Sequence, residues 1–216
     1  YIHWIIGDIL KYNKSEHYLR EILQGILTTY STPVSWNSMS RFLSIEHHAT
    51  ISDYCNILSS IHVLHILQAL QEHKLTGTPK KNKKLYFRDP FIHHAVAAYL
   101  EQENAAASIQ NKLRDNEFAS KFVEAVCIDH CKRRLPTYYI KGQKGEVDAA
   151  LIKDRAILPI EIKWTKRLRT EELKQILEYD GGLILTPSPQ IRMQGKCTVL
   201  PLVRFLVHVC GEISKI

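Results

Sequence analysis

The spacing of hydrophobic positions predicts that the first part of the chain is largely helical. The sequence Thr50-Ile51-Ser52-Asp53 is a capping pattern, which predicts that one helix begins near Thr50. Elsewhere, apolar residues recur at the interval of one buried helical stripe. The helices predicted from this spacing cover residues 15–30, 35–43, 91–100 and 116–133.

A hairpin is predicted after the helix that begins near Thr50. Its parts are a strand over 63–70, a lysine-rich turn over 76–84 and a returning strand over 85–87. Helix, turn, helix and hairpin in this order are typical of a winged-helix domain, whose wing can contact DNA phosphates. The lysines in such a position are Lys80, Lys81, Lys83 and Lys84. A solvated turn, or a winged helix that docks a protein, would show the same pattern.

The most informative pattern lies in a second predicted hairpin. Its strands cover 146–152 and 156–163, and Lys153-Asp154-Arg155 forms the turn. Glu161 and Lys163 are two residues apart and therefore point to the same face of their strand. If Asp148 faces the same way, three charges converge where desolvation is costly without a metal ion or a substrate.

These three side chains suit metal-dependent hydrolysis of a phosphodiester. Two carboxylates, Asp148 and Glu161, can bind a hard divalent cation such as Mg²⁺ or Mn²⁺. A lysine nearby, Lys163, can position a water molecule or offset charge on the phosphate. Asp148, Glu161 and Lys163 are therefore the predicted catalytic residues. A half-solvated sheet with alternating charges and no activity remains the alternative.

An aspartate, twelve intervening residues and then E-x-K resemble the PD-(D/E)XK nuclease-like family. The resemblance implies that Asp148 and Glu161 hold the metal and that Lys163 assists the nucleophile. It adds Glu124, on the domain's first helix, as a third metal ligand, although helical spacing alone predicts a solvated side chain. Gln175 matches a supporting glutamine of related resolvases, or is simply a surface residue. The proline of the family's name is absent, since Val147 precedes Asp148.

The order of the motifs along the chain resembles the C-terminal half of archaeal-type P-loop ATPases of the AAA family, the DUF4143 and DUF234 groups. The resemblance implies a mixed α/β chain, with a helical winged-helix domain over 1–104 and a restriction-endonuclease-like α/β domain over 105–216. A polar, alanine-rich passage at 101–108 marks the boundary. The chain contains no G-x-x-x-x-G-K-[ST] motif and opens at Tyr1 without a methionine. We therefore expect ATP to bind in a domain upstream of this sequence.

Charge and composition favour an acidic partner. The net charge is +7 and the pI is about 9.1, which suits nucleic acid. A basic run follows Lys163, and its candidate DNA contacts are Lys166, Arg167 and Arg169. Five cysteines without a regular framework predict reduced thiols and a cytoplasmic protein. No apolar run reaches the length of about 18 residues that spans a bilayer, so no membrane partner is predicted.

Three functions remain open from the sequence. The first is a metal-dependent deoxyribonuclease attached to an ATPase. The second is a catalytically inactive scaffold of the same fold that binds nucleic acid or protein. The third is an oligomerisation or antitoxin-docking surface. The sequence also leaves open whether the protein forms a homo-oligomer.

Overall fold

The structure, a computed structural model, describes residues 1–102, 105–165 and 167–210. The chain divides into two compact units, each assembled from two separate stretches of sequence. Unit 1 comprises Tyr1–Leu67 and Pro79–Ala125, and unit 2 comprises Gln68–Thr78 with the described residues from Val126 onward. The domain limits 1–104 and 105–216 stay a prediction, and residues 103 and 104 lie outside the described part.

Unit 1 is mainly helical, as the spacing of its apolar residues predicts. The apolar stripe of the helix predicted over 15–30 is buried, with Leu19, Ile22 and Ile26 fully covered. Burial of such a stripe supplies most of the stability of a helix of this length. The helices are α1 (Ile2–Lys11), α2 (Glu16–Thr28), α3 (Trp36–Ser40), α4 (His48–Ser60), α5 (Pro90–Glu101), α6 (Ala105–Arg114) and the first part of α7 (Asn116–Lys132).

Two helix starts show how far local signals decide the structure. Ser35 caps α3, because its hydroxyl oxygen accepts a hydrogen bond from Ser38 N at 2.9 Å. The capping pattern at Thr50 marks its helix less accurately. α4 begins at His48, and its N-cap residue is His47. Thr50 therefore lies inside the first turn rather than before it.

The described strands form one mixed sheet with the order β2-β1-β3-β4-β5-β6-β8-β7. The strands are β1 (Leu64–Gln71), β2 (Thr76–Phe87), β3 (Thr137–Lys141), β4 (Glu146–Lys153), β5 (Ala156–Ile162), β6 (Leu183–Thr186), β7 (Arg192–Gln194) and β8 (Cys197–Pro201). The mixed α/β fold class is thus confirmed.

The predicted lysine-rich turn over 76–84 is wrong, because these residues belong to strand β2. The chain reverses earlier, between the end of β1 at Gln71 and the start of β2 at Thr76. β2 is one of the two edge strands of the sheet. Lysines are frequent on edge strands because their charge discourages pairing with another chain. The lysine content of residues 76–84 therefore did not distinguish a turn from an edge strand.

The central hairpin of unit 2 is confirmed. β4 and β5 pair antiparallel, with Ala149 opposite Ile160. The turn residues Asp154 and Arg155 have φ values of 50° and 63°, as in a type I′ turn, whose twist matches that of the strands. β6 pairs parallel with both β5 and β8, and α8 (Leu202–Cys210) packs against β6 and β8.

After β5, the chain forms two 3₁₀ turns, Thr170–Leu173 and Ile176–Glu178. Leu173 and Ile176 are both buried at a spacing of three residues, which is the period of a 3₁₀ helix. Both belong to the core of unit 2. That core consists of Leu70, Ile140, Val147, Ala150, Leu173, Ile176, Ile184, Cys197 and Val199.

Candidate active site

A cavity of about 350 Å³ in unit 2 brings together four of the residues that the sequence singles out. These residues are Asp148, Glu161, Lys163 and Gln175. Asp148 lies on β4, Glu161 lies on β5, Lys163 follows β5 directly, and Gln175 lies between the two 3₁₀ turns. The four residues are therefore separated along the chain by up to 27 positions. The other residues that line the cavity are Lys144, Gly145, Glu146, Glu171, Glu172 and Lys174.

Asp148 is held by a backbone hydrogen bond across the hairpin. Its Oδ2 accepts from Ile162 N at 2.9 Å. The paired residues of β4 and β5 run from Lys153 and Ala156 to Ala149 and Ile160. The bond from Asp148 to Ile162 therefore lies just beyond the last backbone pair of the hairpin. The Asp148 carboxylate thus satisfies a backbone donor of β5, and this bond fixes it beside the strand that carries Glu161.

Glu161 and Lys163 form an ion pair in the cavity. Lys163 Nζ lies 2.7 Å from Glu161 Oε1, and only 3% of Glu161 is exposed. The backbone holds this geometry, because Lys163 N donates to Leu185 O at 2.9 Å and so extends the pairing of β5 with β6. The sequence-based inference that both side chains share one face is consistent with this pair.

Burial lowers the pKa of Lys163, but neighbouring carboxylates outweigh it. Attraction to Glu161, Asp148 and Glu172, with the hydrogen bond to Glu161, leaves the Lys163 pKa above its ordinary value. The ammonium therefore stays protonated at neutral pH. In this state it is a donor and a positive charge, and it cannot accept a proton.

Gln175 is fixed by the loop between β3 and β4. Its Oε1 accepts from Lys144 N at 3.0 Å. Gly142 makes this approach possible, because a Cβ atom at that position would lie 2.2 Å from the amide carbon of Gln175. Tyr179, one turn further on, donates to Glu72 Oε1 at 3.0 Å. The glutamine is therefore built into the wall of the cavity and is almost fully buried.

Carboxylates outnumber ammonium groups around the cavity. Five Asp and Glu side chains and three Lys side chains are among the described residues that line it. Such a lining attracts a cation and repels an unaccompanied phosphate. Glu146 was not predicted as a site residue, although it lies two residues before Asp148 on the same strand and therefore on the same face.

The donor set of the cavity is compatible with Mg²⁺ or Mn²⁺. In the part of the chain that the structure describes, no group of three or more His, Cys, Asp and Glu side chains is arranged to hold a metal ion. Mg²⁺ does not require one, since it keeps several waters and is often bound through one or two carboxylates. Asp148 and Glu161 supply those two carboxylates, and the carboxylate-rich lining favours a divalent charge.

Glu124, the third predicted metal ligand, lies in unit 1 and is engaged there. Its Oε1 accepts from Lys84 Nζ at 3.0 Å and from the Tyr86 hydroxyl at 2.6 Å. The Lys84 side chain is only 4% exposed. This geometry is that of a buried ion pair with an added hydrogen bond. The role of Glu124 as a metal ligand stays a prediction.

The four lysines predicted to contact DNA in the first domain differ in exposure. Lys80 and Lys81 are exposed, whereas Lys83 and Lys84 are buried. Lys83 Nζ lies 4.4 Å from the centre of the Trp36 ring and donates to Pro79 O at 3.3 Å. Burial lowers the pKa of Lys83. Contact with a phosphate is thus geometrically simplest for Lys80 and Lys81.

The basic run after Lys163 is partly described. Arg167 and Arg169 are exposed, and the nearest acidic contact of Arg169 is Glu172 Oε1 at 4.0 Å. Arg167 N donates to the Thr165 hydroxyl oxygen at 3.2 Å, which holds a short turn. Lys166 lies outside the described residues.

Comparison with known proteins adds one match. The sequence model of a family described as a domain of unknown function (DUF8612) matches residues 3–104. No curated protein and no solved structure matches the chain significantly. Within the described residues, no helix has both the length and the apolar character that crossing a bilayer requires.

Proposed function

We propose that unit 2 carries a divalent-cation-dependent nuclease site that hydrolyses phosphodiester bonds in DNA. The observation that supports it most directly is the cavity lined by Asp148, Glu161 and Lys163. The sequence pattern selects the same three residues on chemical grounds alone. Their presence in one carboxylate-rich cavity suits metal-assisted hydrolysis better than a solvated surface.

Each side chain has a distinct role in this proposal. Asp148 and Glu161 hold Mg²⁺ or Mn²⁺, which when bound acidifies a coordinated water and polarises a phosphoryl oxygen. Lys163, kept protonated by its carboxylate neighbours, donates a hydrogen bond to the attacking water or to a phosphate oxygen. Gln175 supports the wall of the cavity through its bond to Lys144 N.

The wider proposal places this chain in a longer DNA-acting protein. By resemblance, residues 1–104 form a winged helix, residues 105–216 form the nuclease-like domain, and an upstream AAA-type domain binds ATP. Exposed basic side chains offer phosphate contacts in each unit, Lys80 and Lys81 in the first and Arg167 and Arg169 in the second. Cys55, Cys127, Cys131 and Cys197 are free and buried, which suits the cytoplasm.

A cleavage assay with a matched pair of variants tests the nuclease site. Linear, single-stranded and branched DNA are incubated with Mg²⁺ or Mn²⁺ and the wild type, Asp148→Asn or Asp154→Asn. Both variants make the same chemical change on the same hairpin, but Asp154 lies in the turn. We expect metal-dependent cutting by the wild type and by Asp154→Asn, and none by Asp148→Asn. Cutting that persists in Asp148→Asn would contradict the proposal.

A binding module without hydrolysis is the second candidate. The ion pair between Glu161 and Lys163 favours it, because the ammonium already compensates the buried carboxylate without a metal ion. This candidate predicts DNA binding that weakens steeply with salt, with no cutting by any variant. Equal affinity with and without Mg²⁺ would support it over the nuclease.

A further inference from the structure

We infer that Trp164 is a stacking platform for an unpaired base, so that the site acts on single-stranded or unpaired DNA rather than on intact duplex. The inference rests on the proposed nuclease function and names the class of its substrate. It is carried by the place of Trp164 in the chain, by its exposure and by the charges around it.

Trp164 follows directly on Lys163, which lines the cavity. Consecutive Cα atoms lie about 3.8 Å apart, so the backbone of Trp164 lies beside that of the proposed catalytic lysine. Trp164 itself does not line the cavity, and 40% of it is exposed. A base stacked on it would therefore belong to a nucleotide next to the one whose phosphate enters the site.

The exposure of this indole is unusual within unit 2. Among the exposed large apolar side chains in the described part of that unit, Trp164 is the aromatic one. The others are Ile191, Met193, Val203 and Val207. A tryptophan left in water forgoes a large gain from burial, which a bound base would restore. Stacking accepts any base, because every base has an aromatic face.

The surrounding charges favour a single strand. Carboxylates predominate in the cavity, so a phosphate gains little binding energy there without a cation. Stacking of a base on the indole supplies affinity that does not depend on charge. Arg167 and Arg169 are exposed a few residues after Trp164 and can follow the backbone of the strand. Base pairs inside a duplex cannot use the platform, since both of their faces are covered by stacked neighbours.

A binding experiment separates this inference from the nuclease activity. Affinities for a labelled oligothymidine of about twelve nucleotides and for a blunt duplex of equal length are measured by anisotropy without divalent cation, so that no strand is cut. The full chain is used as wild type, Trp164→Ala, Trp164→Phe and Trp4→Ala. Trp4 is 50% exposed and lies in unit 1, which makes it the matched control.

We expect Trp164→Ala to weaken binding of the single strand about tenfold and to leave duplex binding unchanged. Trp164→Phe should retain most of the affinity, and Trp4→Ala all of it. The inference is overturned if the wild type does not prefer the single strand, or if Trp164→Ala lowers both affinities equally or neither. Absence of cutting in the separate assay would refute the nuclease alone, because the stacking contact is measured without cleavage.

Discussion

Asp148 and Ile162 are joined across the central hairpin, with 2.9 Å between Asp148 Oδ2 and Ile162 N. This bond gives the carboxylate a structural role besides its proposed role as a metal ligand. The two roles can be separated, because asparagine retains a neutral oxygen acceptor whereas alanine does not.

Substitutions at Asp148 should therefore affect stability and cation binding differently. Asp148→Ala leaves Ile162 N without this acceptor and should lower the free energy of unfolding by about 1–3 kcal/mol. Asp148→Asn should lie close to the wild type in cation-free buffer. Both variants should lose the rise in Tm that Mg²⁺ or Mn²⁺ gives the wild type. Thermal unfolding with and without cation checks this, and an undiminished rise in Asp148→Asn would contradict Asp148 as a ligand.

Removal of Lys163 should destabilise unit 2. Lys163→Met takes the ion-pair partner from Glu161, which is 3% exposed, and the expected loss is about 3 kcal/mol. The double variant Glu161→Gln with Lys163→Met should recover most of it, because no charge then remains buried at that position. Urea unfolding of the single and double variants measures the difference. If the double variant is no more stable than Lys163→Met, loss of the ion pair is not the cause of the destabilisation in Lys163→Met.

The Lys163 interaction also has a defined pH window. Its pKa is raised in the folded protein, so its stabilising contribution is complete below the ordinary lysine pKa of about 10.4. The contribution is lost as the pH rises through the higher folded value. The gap in stability between the wild type and Lys163→Met should consequently be constant from pH 7 to about pH 10 and narrow above it.

His93 should make unit 1 sensitive to acid. Burial, with smaller contributions from His94 and Lys112, lowers the pKa of His93 from 6.5 to about 3. Its Nδ1 is buried without a hydrogen-bond partner in the described structure, and the ring packs edge-on against Phe118 and Phe122. The folded state therefore favours the neutral imidazole of His93.

The sign of the pH effect follows from that lowered pKa. Stability due to neutral His93 is complete above about pH 6.5 and falls by about 1.4 kcal/mol per pH unit toward pH 3. Replacement by phenylalanine should remove this slope, whereas His48→Phe, at an exposed position, should keep it. Urea unfolding of each protein at pH 7 and pH 5 checks the slope. An unchanged slope in His93→Phe would refute the assignment.

Two glycines provide opposite tests of packing. Gly142→Ala places a Cβ atom 2.2 Å from the Gln175 amide carbon, so it should cost about 1–3 kcal/mol and reduce any cleavage. Gly7 lies in α1 with nothing within 4 Å of an added Cβ. Gly7→Ala should therefore stabilise the protein by about 0.5–1 kcal/mol. Thermal unfolding distinguishes the two, and a neutral Gly142→Ala would show that Gln175 moves freely.

Lys81 and Lys84 should differ in what their removal affects. Lys84→Met breaks the buried ion pair with Glu124 and should cost about 3 kcal/mol of stability. Lys81→Met changes an exposed residue and should alter stability by less than about 0.5 kcal/mol. If Lys81 contacts a phosphate, its removal should reduce the slope of log affinity for DNA against log salt concentration by about 1. An unchanged salt dependence would exclude that contact.

The local spacing of apolar and polar residues predicted those helices and strands whose buried side chains all lie on one face. The stripe on α2 and the alternating charges on β4 and β5 each have one buried arrangement, so spacing alone located them. The turn at Asp154 and Arg155 was also predictable, because a short polar segment between two apolar runs closes a hairpin. That Glu161 and Lys163 share one face of their strand followed from their separation by two positions.

Tertiary packing decided what spacing could not. Lysines that suggested a turn are part of β2, where an edge position and the partner Glu124 accommodate them. Glu171 and Glu172 join the cavity only because the 3₁₀ turns bring them beside β4. The sequence by itself determined which residues face the same way within an element. Only the tertiary structure determined which elements meet, because burial and charge pairing depend on neighbours that are distant along the chain.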